Sequence, residues 1–365
     1  MRIAFYAPLK PPDHETPSGD RRIARLLIDA LRLAGHQPFV ASRLRSFDPT
    51  GARQAPLAER GKRTAERLIA GWRAEPESAP GLWFTYHLYY KAPDWLGPAI
   101  SAALGIPYVV AEASFAAKRA GGPWDFGHRA VEQALRCADR VIGLNTADRD
   151  GVAPLLAHPE RIVALAPFLD ARPYAAAREP ASPPRLITVA MMRSGDKLAS
   201  YRVLGAALAS LLDRPWTLDV VGDGPARGEV EAALAPLGER VRFVGAAAES
   251  GVAARLAAAD LCVWPAINEA FGMALLEAQA SGLAVVAGDS GGVGDVVADG
   301  ATGLLAPPGD AVAFAAAVRA LLDDPLRRVA FGAAARDKIR REHDLPAAAR
   351  RLAEIVDSLG RARAA

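Results

Sequence analysis

The sequence of 365 residues predicts an α/β protein made of two doubly wound halves. Three observations carry that reading. Short apolar runs alternate with amphipathic stretches of helical length, a pattern that needs parallel strands joined by helical crossovers. The alternation breaks at residues 169–184, LDARPYAAAREPASPP, where periodicity is lost and prolines gather, and it then restarts. The length fits two domains at roughly 100–200 residues each, and a 51% hydrophobic, 23% charged composition supplies material for both cores.

The elements follow in order. Residues 2–7 read as a buried strand and 18–36 as an amphipathic helix, with Ser18 or Asp20 as its cap and Gly35 as its stop. Strands are expected at 38–42, 82–88, 107–113 and 140–145, with helical stretches at 94–104 and 127–138. Beyond the linker the strands fall at 185–191, 216–222, 241–245, 260–266, 283–288 and 303–307. Helices are expected at 198–212, 226–237, 250–258, from about 271, at 310–322, 326–342 and 346–359. The domains are therefore 1–168, a linker at 169–184, 185–345, and a terminal segment 346–365 that packs back toward the first domain.

Several classes are set aside. Gly and Pro, 32 and 28 residues, fall short of the content that signals disorder. The opening MRIAFYAPL is too short for the apolar region of a signal peptide. No run of about 18 apolar residues reads as a spanning helix. Cys137 and Cys262 stand alone, with neither a disulfide framework nor zinc-ligand spacing, which fits a reducing cytoplasm. The net charge of +3 is uneven: residues 1–168 hold 22 Lys and Arg against 17 Asp and Glu. Segment 42–73 carries that excess, with Arg43, Arg45, Arg53, Arg60, Lys62, Arg63, Arg67 and Arg73 against three acids. It reads as a solvated face or as a patch for anionic lipid at the inner face of the cytoplasmic membrane. No aromatic-interleaved signature accompanies it, so nucleic acid is not expected as a partner.

The densest chemical signal lies in residues 259–310. A strand ends at Pro265, a loop carries Asn268 and Glu269, and a helix is expected to begin near Phe271. The amides of Ala270, Phe271, Gly272 and Met273 would then lack intrahelical partners and point outward with the positive end of the helix dipole, which suits a phosphate. Glu269 sits at the mouth of this anion site. Glu277 lies about 12 Å further down the helix by rise per residue. A capping Glu followed by a surface Glu is the alternative. Gly288, Gly291, Gly292 and Gly294 form a loop whose backbone a ligand can approach.

The run PAINEAFGMALLEAQASGLAVVAGDSGGVGDVVADGATGLLAPPGD resembles the donor-binding motif of retaining glycosyltransferases of family four, the glycosyl transferases group one. The likeness extends through LITVAMMRSGDKLASY, LDVVGDGP and VRFVG across residues 185–345. It implies the GT-B fold, two Rossmann-like doubly wound domains facing across a cleft. It also implies transfer of a hexose from a nucleoside diphosphate sugar to a glycan, glycolipid or small-molecule acceptor, with retention, as in polysaccharide biosynthesis. By that resemblance Glu269 contacts the donor sugar near its reacting carbon, Glu277 holds the ribose, and Arg193 and Lys197 neutralise the diphosphate. Gly222 and Gly224 turn the chain beside the nucleotide, and Val244 flanks the base. Met192 stands where the family has Gly, and the Arg-to-Lys spacing is shorter than usual.

The first half supplies candidates for the acceptor or diphosphate side: Ser18 and Gly19 at a helix start, and His87 and Glu112 at carboxyl ends of strands. Tyr86, Tyr89, Tyr90, Trp95 and Trp124 either stack on a sugar or pack among themselves. Asp148-Arg149-Asp150 is a literal Asp-x-Asp, read as a helix cap, so neither a metal nor another cofactor is expected. A silent sugar-nucleotide-binding or scaffold protein and a nucleotide-sugar epimerase of the same fold remain the alternatives.

Overall fold

The computed structural model describes residues 1–16, 18–177 and 181–364. The described chain divides into two compact units, Met1–Ala166 with Leu345–Ala365, and Pro167–Asp344.

Unit 1 runs β1 (Arg2–Tyr6), α1 (Gly19–Leu33), β2 (Gln37–Ser42), α2 (Gln54–Ala74), β3 (Leu82–Leu88), α3 (Gly97–Leu104), β4 (Tyr108–Ala113), α4 (Asp125–Cys137), β5 (Arg140–Gly143), α5 (Thr146–Val152) and β6 (Ile162–Ala164). Unit 2 runs β7 (Arg185–Val189), α6 (Asp196–Ala209), β8 (Thr217–Val221), α7 (Arg227–Leu234), β9 (Val241–Gly245), α8 (Glu249–Ala257), β10 (Leu261–Trp264), α9 (Met273–Ala280), β11 (Ala284–Gly288), α10 (Val293–Val296), β12 (Gly303–Ala306), α11 (Ala311–Asp323) and α12 (Pro325–Lys338). The last helix, α13 (Leu345–Ala364), packs on α1 within unit 1.

Each unit holds one parallel six-stranded sheet, ordered β2-β1-β3-β4-β5-β6 in the first and β12-β11-β10-β7-β8-β9 in the second. In both, chain order reverses beside the first strand of the unit. The reversal falls between β1 and β3 in unit 1, and between β7 and β10 in unit 2. Loops leaving the strand ends diverge there, and the crevice they open is where doubly wound sheets bind ligands.

The strands are apolar because both faces are covered. Ile3, Ala4, Phe5 and Tyr6 of β1 and Leu261 to Trp264 of β10 are all buried. α1 shows the helical counterpart. Ser18 caps it by accepting from the Arg21 N–H at 3.2 Å, and Ile23, Leu27, Ala30 and Leu31 face the core.

Two expectations change. The helix expected near Phe271 begins at Met273, because Gly272 takes a left-handed φ of 77°, so Ala270 and Phe271 belong to the preceding loop. The segment read as a linker is part of unit 2 where it is described: Arg172–Tyr174 forms a 3-10 turn that buries Tyr174. Residues 178–180 of that segment, Pro17 and the terminal Ala365 lie outside the described residues. A short sixth strand, β6, and the long helix α2 were not anticipated. No helix among the described residues is long and apolar enough to cross a membrane.

Candidate functional site

In unit 2 the switch between β7 and β10 brings two loops together. One, after β7, carries Arg193 and leads into α6; the other, after β10, carries Glu269 and leads into α9. The first turns of α6 hold the second loop and the end of β10 before it at four points. Ser200 Oγ accepts from the Ile267 N–H at 3.0 Å, and Asn268 Nδ2 donates to Asp196 Oδ2 at 2.8 Å. Lys197 Nζ pairs with Glu269 Oε2, and the Tyr201 ring sits edge-on to Trp264 at 5.1 Å. Trp264 completes the arrangement: its indole N–H donates to Glu269 Oε2 at 3.3 Å, and Lys197 Nζ lies 5.4 Å from its ring centre. Two of the three expected catalytic residues, Lys197 and Glu269, are thus in direct contact, half-buried at 29% and 18% side-chain exposure. Arg193 is exposed, three residues before α6 begins.

Backbone strain marks the loop after β10 and, separately, two strand ends of unit 1. Among the described residues four non-glycine residues take positive φ, namely His87 (61°), Glu112 (57°), Ala266 (51°) and Asn268 (51°). Each such residue costs about 1–3 kcal/mol, and such strain concentrates where function requires it. All four stand at or just beyond the carboxyl ends of β3, β4 and β10.

The glycines act through packing. A Cβ on Gly222 would collide with the Ala190 carbonyl oxygen, and one on Gly224 with that of Met192. These two residues therefore let the loop after β8 lie against the loop carrying Arg193. Met192 is buried between them, its N–H donating to Asp223 and its carbonyl accepting from Ala226, both at 3.0 Å. Gly291, at φ 57°, likewise seats the next loop on the Glu269 carbonyl, and Gly292 N–H donates to the Ala270 carbonyl at 2.7 Å. Val244 is half-buried near the end of β9, beside Gly245, whose carbonyl accepts from Gly222 at 2.9 Å.

Glu277 is not the exposed residue of the alternative reading. It is buried on α9 and accepts from the Tyr174 hydroxyl at 2.9 Å. The neighbouring Cys262 thiol is pushed up to about 12 by burial and then by the charge of Glu277.

In unit 1, Ser18 serves as the α1 cap, which leaves the Asp20 carboxylate free to reach His87, whose Nδ1 lies 2.8 Å from Asp20 Oδ1. Gly19 is the exposed first residue of that helix. His87 and Glu112 occupy matching positions on adjacent strands, flanked by the pairs Tyr86–Ala111 and Leu88–Ala113. Glu112 Oε2 and the Tyr86 hydroxyl are buried without a hydrogen-bond partner among the described residues. Burial raises the Glu112 carboxyl, and facing His87 only partly offsets this. Burial also opposes charge on His87, but the Asp20 hydrogen bond and the charges of Glu112, Asp20 and Asp148 outweigh it and raise the imidazole.

The aromatic residues form a run with Trp95 apart from it. Tyr89 lies 5.1 Å from the His87 ring and packs edge-on to Tyr90 at 5.6 Å, Tyr90 packs edge-on to Trp124 at 5.6 Å beneath Lys91 and Arg119, and Trp95 stacks on Phe126. Asp148 belongs to the N-terminus of α5, where its amide bonds Asn145 Oδ1 at 2.8 Å and its carboxylate accepts from Asn145 Nδ2.

Two Rossmann-like units of this topology, each with a strained switch-point site, define the GT-B class. Solved structures match along nearly the whole chain. Sucrose-phosphate synthase from Thermosynechococcus elongatus aligns with a TM-score of 0.72 at 22% identity over 99% of both chains. HepE of Anabaena in complex with UDP aligns with a TM-score of 0.74 at 18% identity over 98% of this chain and 100% of that one. The family model described as "Glycosyl transferases group 1" matches residues 183–324. A glycogen synthase of Mycobacterium tuberculosis is 30% identical over 284 residues, 72% of this chain and 67% of that protein. A D-inositol 3-phosphate glycosyltransferase of Corynebacterium aurimucosum is 36% identical over 230 residues, 57% of this chain and 55% of that protein. The chain belongs to the glycosyl transferases group 1 family. Its match spans about half the length of the D-inositol 3-phosphate glycosyltransferase of Corynebacterium aurimucosum.

The sequence missed Asp20, Trp264, Asp196, Ser200 and Tyr174. Except for Trp264, five residues before Glu269, their partners lie far along the chain, 67 residues away for Asp20 and 103 for Tyr174, where no local pattern connects them.

Proposed function

We propose that this chain is a glycosyltransferase that moves a hexose from a nucleoside diphosphate sugar to a hydroxyl acceptor, with retention and without a metal. The observation that carries the reading is the Lys197–Glu269 pair, clamped at the switch point beside the α9 N-terminus and Arg193. In the reaction the bond from the anomeric carbon to the diphosphate oxygen breaks and a bond to the acceptor oxygen forms. The acceptor proton passes to the departing phosphate. Negative charge growing on that phosphate is met by Lys197, Arg193 and the first-turn N–H groups of α9, which are held in place before the reaction begins. Glu269 sits where a sugar bonded to that phosphate begins, and Glu277 is the carboxylate for the ribose hydroxyls.

A thermal-shift panel of UDP, GDP, ADP and their sugar conjugates, run in EDTA, tests the donor. One nucleotide series is expected to raise the melting temperature by several degrees, since ligand at about 100 times its Kd adds about 2.7 kcal/mol. Silence across the panel would remove the donor assignment.

The reading includes contact with anionic lipid. Arg60, Arg63 and Arg67 are exposed along one face of α2 around Thr64, at the three- and four-residue spacings that align side chains. Sedimentation with vesicles of phosphatidylserine is expected to carry the protein down at low salt, and Arg60→Glu with Arg67→Glu to abolish this. Equal sedimentation with neutral vesicles would remove the membrane role.

A further inference from the structure

We infer that Asp20 is a positioning residue that holds His87 in its Nδ1–H tautomer, so that His87 Nε2 accepts a hydrogen bond from a hydroxyl of a polyol acceptor. The inference rests on the glycosyltransferase reading for the identity of the substrate, and on unit 1 alone for its geometry.

Four observations support it. His87 Nδ1 is committed to Asp20 at 2.8 Å, while Nε2 has no hydrogen-bond partner among the described residues and the side chain keeps 22% exposure. A neutral imidazole that donates from one nitrogen presents a lone pair on the other. His87 and Glu112 both hold left-handed backbone side by side on β3 and β4, a conformation these residue types do not adopt without cost. Glu112 Oε2 and the Tyr86 hydroxyl beside them are buried, act on each other, and have no partner of ordinary hydrogen-bond geometry among the described residues, so the cluster keeps hydrogen-bonding capacity for a hydroxyl ligand. The site also lies at the switch point between β1 and β3, since Asp20 opens the helix that follows β1.

The charged and titratable groups facing His87 are Asp20 on α1, Glu112 on β4 and Asp148 on α5, with Tyr86 and Tyr89 flanking its ring. Lys10 acts on Asp20. The carboxylates favour the imidazolium, which cannot accept from a hydroxyl. Acceptor use should therefore rise with pH as His87 deprotonates. Removing the Asp20 charge moves that rise to lower pH, because burial then has less to oppose it.

The test uses the full chain. Imidazole titration by nitrogen-15 NMR, with the His87 signals assigned by their loss in His87→Gln, is expected to show the Nδ1–H tautomer and a midpoint above 6.5. Asp20→Asn should lower that midpoint while keeping the tautomer, because the Asn carbonyl still accepts from Nδ1. Asp20→Ala should lose both. In turnover assays against a polyol panel, Asp20→Asn should shift the acid limb of kcat/KM downward with nucleotide affinity unchanged. Asp20→Ala should also raise the acceptor KM about 10-fold, which is about 1.4 kcal/mol. An unmoved midpoint, or an Nε2–H tautomer in the wild type, overturns the inference, as does a common loss of melting temperature with an unmoved pH profile. If instead the donor reading fails, no nucleotide binds and no variant turns over, yet the titration still decides the state of the dyad.

Discussion

Glu269→Gln is expected to lower turnover about 1,000-fold while the protein stays folded and binds its nucleotide with wild-type affinity. The magnitude follows from removing one preorganised charged group from a partly dehydrated site, where such losses run to about 10²–10³ in kcat. Gln keeps an oxygen for the Trp264 N–H, so the loop after β10 retains its anchor. The Asn268–Asp196 and Ile267–Ser200 bonds do not involve the altered group. Lys197→Ala should cost about 10²-fold through the leaving phosphate and also weaken nucleotide binding, which separates it from Glu269→Gln. The double variant should lose less than the two effects combined, since each single change leaves the other half-buried charge without its partner. Steady-state kinetics with the nucleotide sugar chosen by thermal shift provide the measurement. A folded Glu269→Gln enzyme within a few-fold of wild type would remove Glu269 from the chemistry.

Periodicity made most of the fold legible, because buried parallel strands are short unbroken apolar runs and amphipathic helices separate them. It failed where that physics is weak. β6 is three residues long and lies at the sheet edge, only partly covered, so no apolar run announces it. α9 starts later than the sequence predicts because Gly272 adopts left-handed φ, which no pattern announces, at a point where a Cβ would crowd Leu275. The donor motif gave Glu269, Lys197 and Glu277 as residues. It did not give the burial of Glu277, which depends on Tyr174 from a segment whose prolines read as a linker. Likewise Ser18 and Asp20 were equal candidates for one cap. Only the position of His87, a strand away, separates a capping hydroxyl from a carboxylate that serves the imidazole.

The largest expected loss of stability comes from a residue with no part in the chemistry. Asp94 is buried at 3% exposure, and its carboxylate gathers five donors: Thr85 Oγ1 at 2.5 Å, Tyr108 Oη at 3.0 Å, Trp83 Nε1 at 3.3 Å, and the Leu96 and Gly97 N–H groups at 2.8 Å each. It joins β3, β4 and the start of α3 at a single point. Space is tight as well, for a Cβ on Gly97 would collide with Asp94 Oδ2. Asp94→Ala removes the common acceptor and leaves several of those donors buried without one, at about 1–3 kcal/mol for each group that water cannot reach. A total of about 3–5 kcal/mol is expected, a fall of about 10 °C in the melting of unit 1. Asp94→Asn should lose less, because its carbonyl still accepts the two helix N–H groups and the Thr85 and Tyr108 hydroxyls can turn to accept from its amide. Nucleotide affinity should be unchanged in both variants, since the residues proposed to bind the donor belong to unit 2. The acceptor side should not be spared. Thr85 stands two residues before His87, and Tyr108 begins the strand that carries Glu112. Loosening this junction releases the two left-handed residues from the framework that holds them strained. Asp94→Ala should therefore raise the acceptor KM at temperatures where the protein is still folded. Melting within one or two degrees of wild type would show that the junction does not hold β3 to β4.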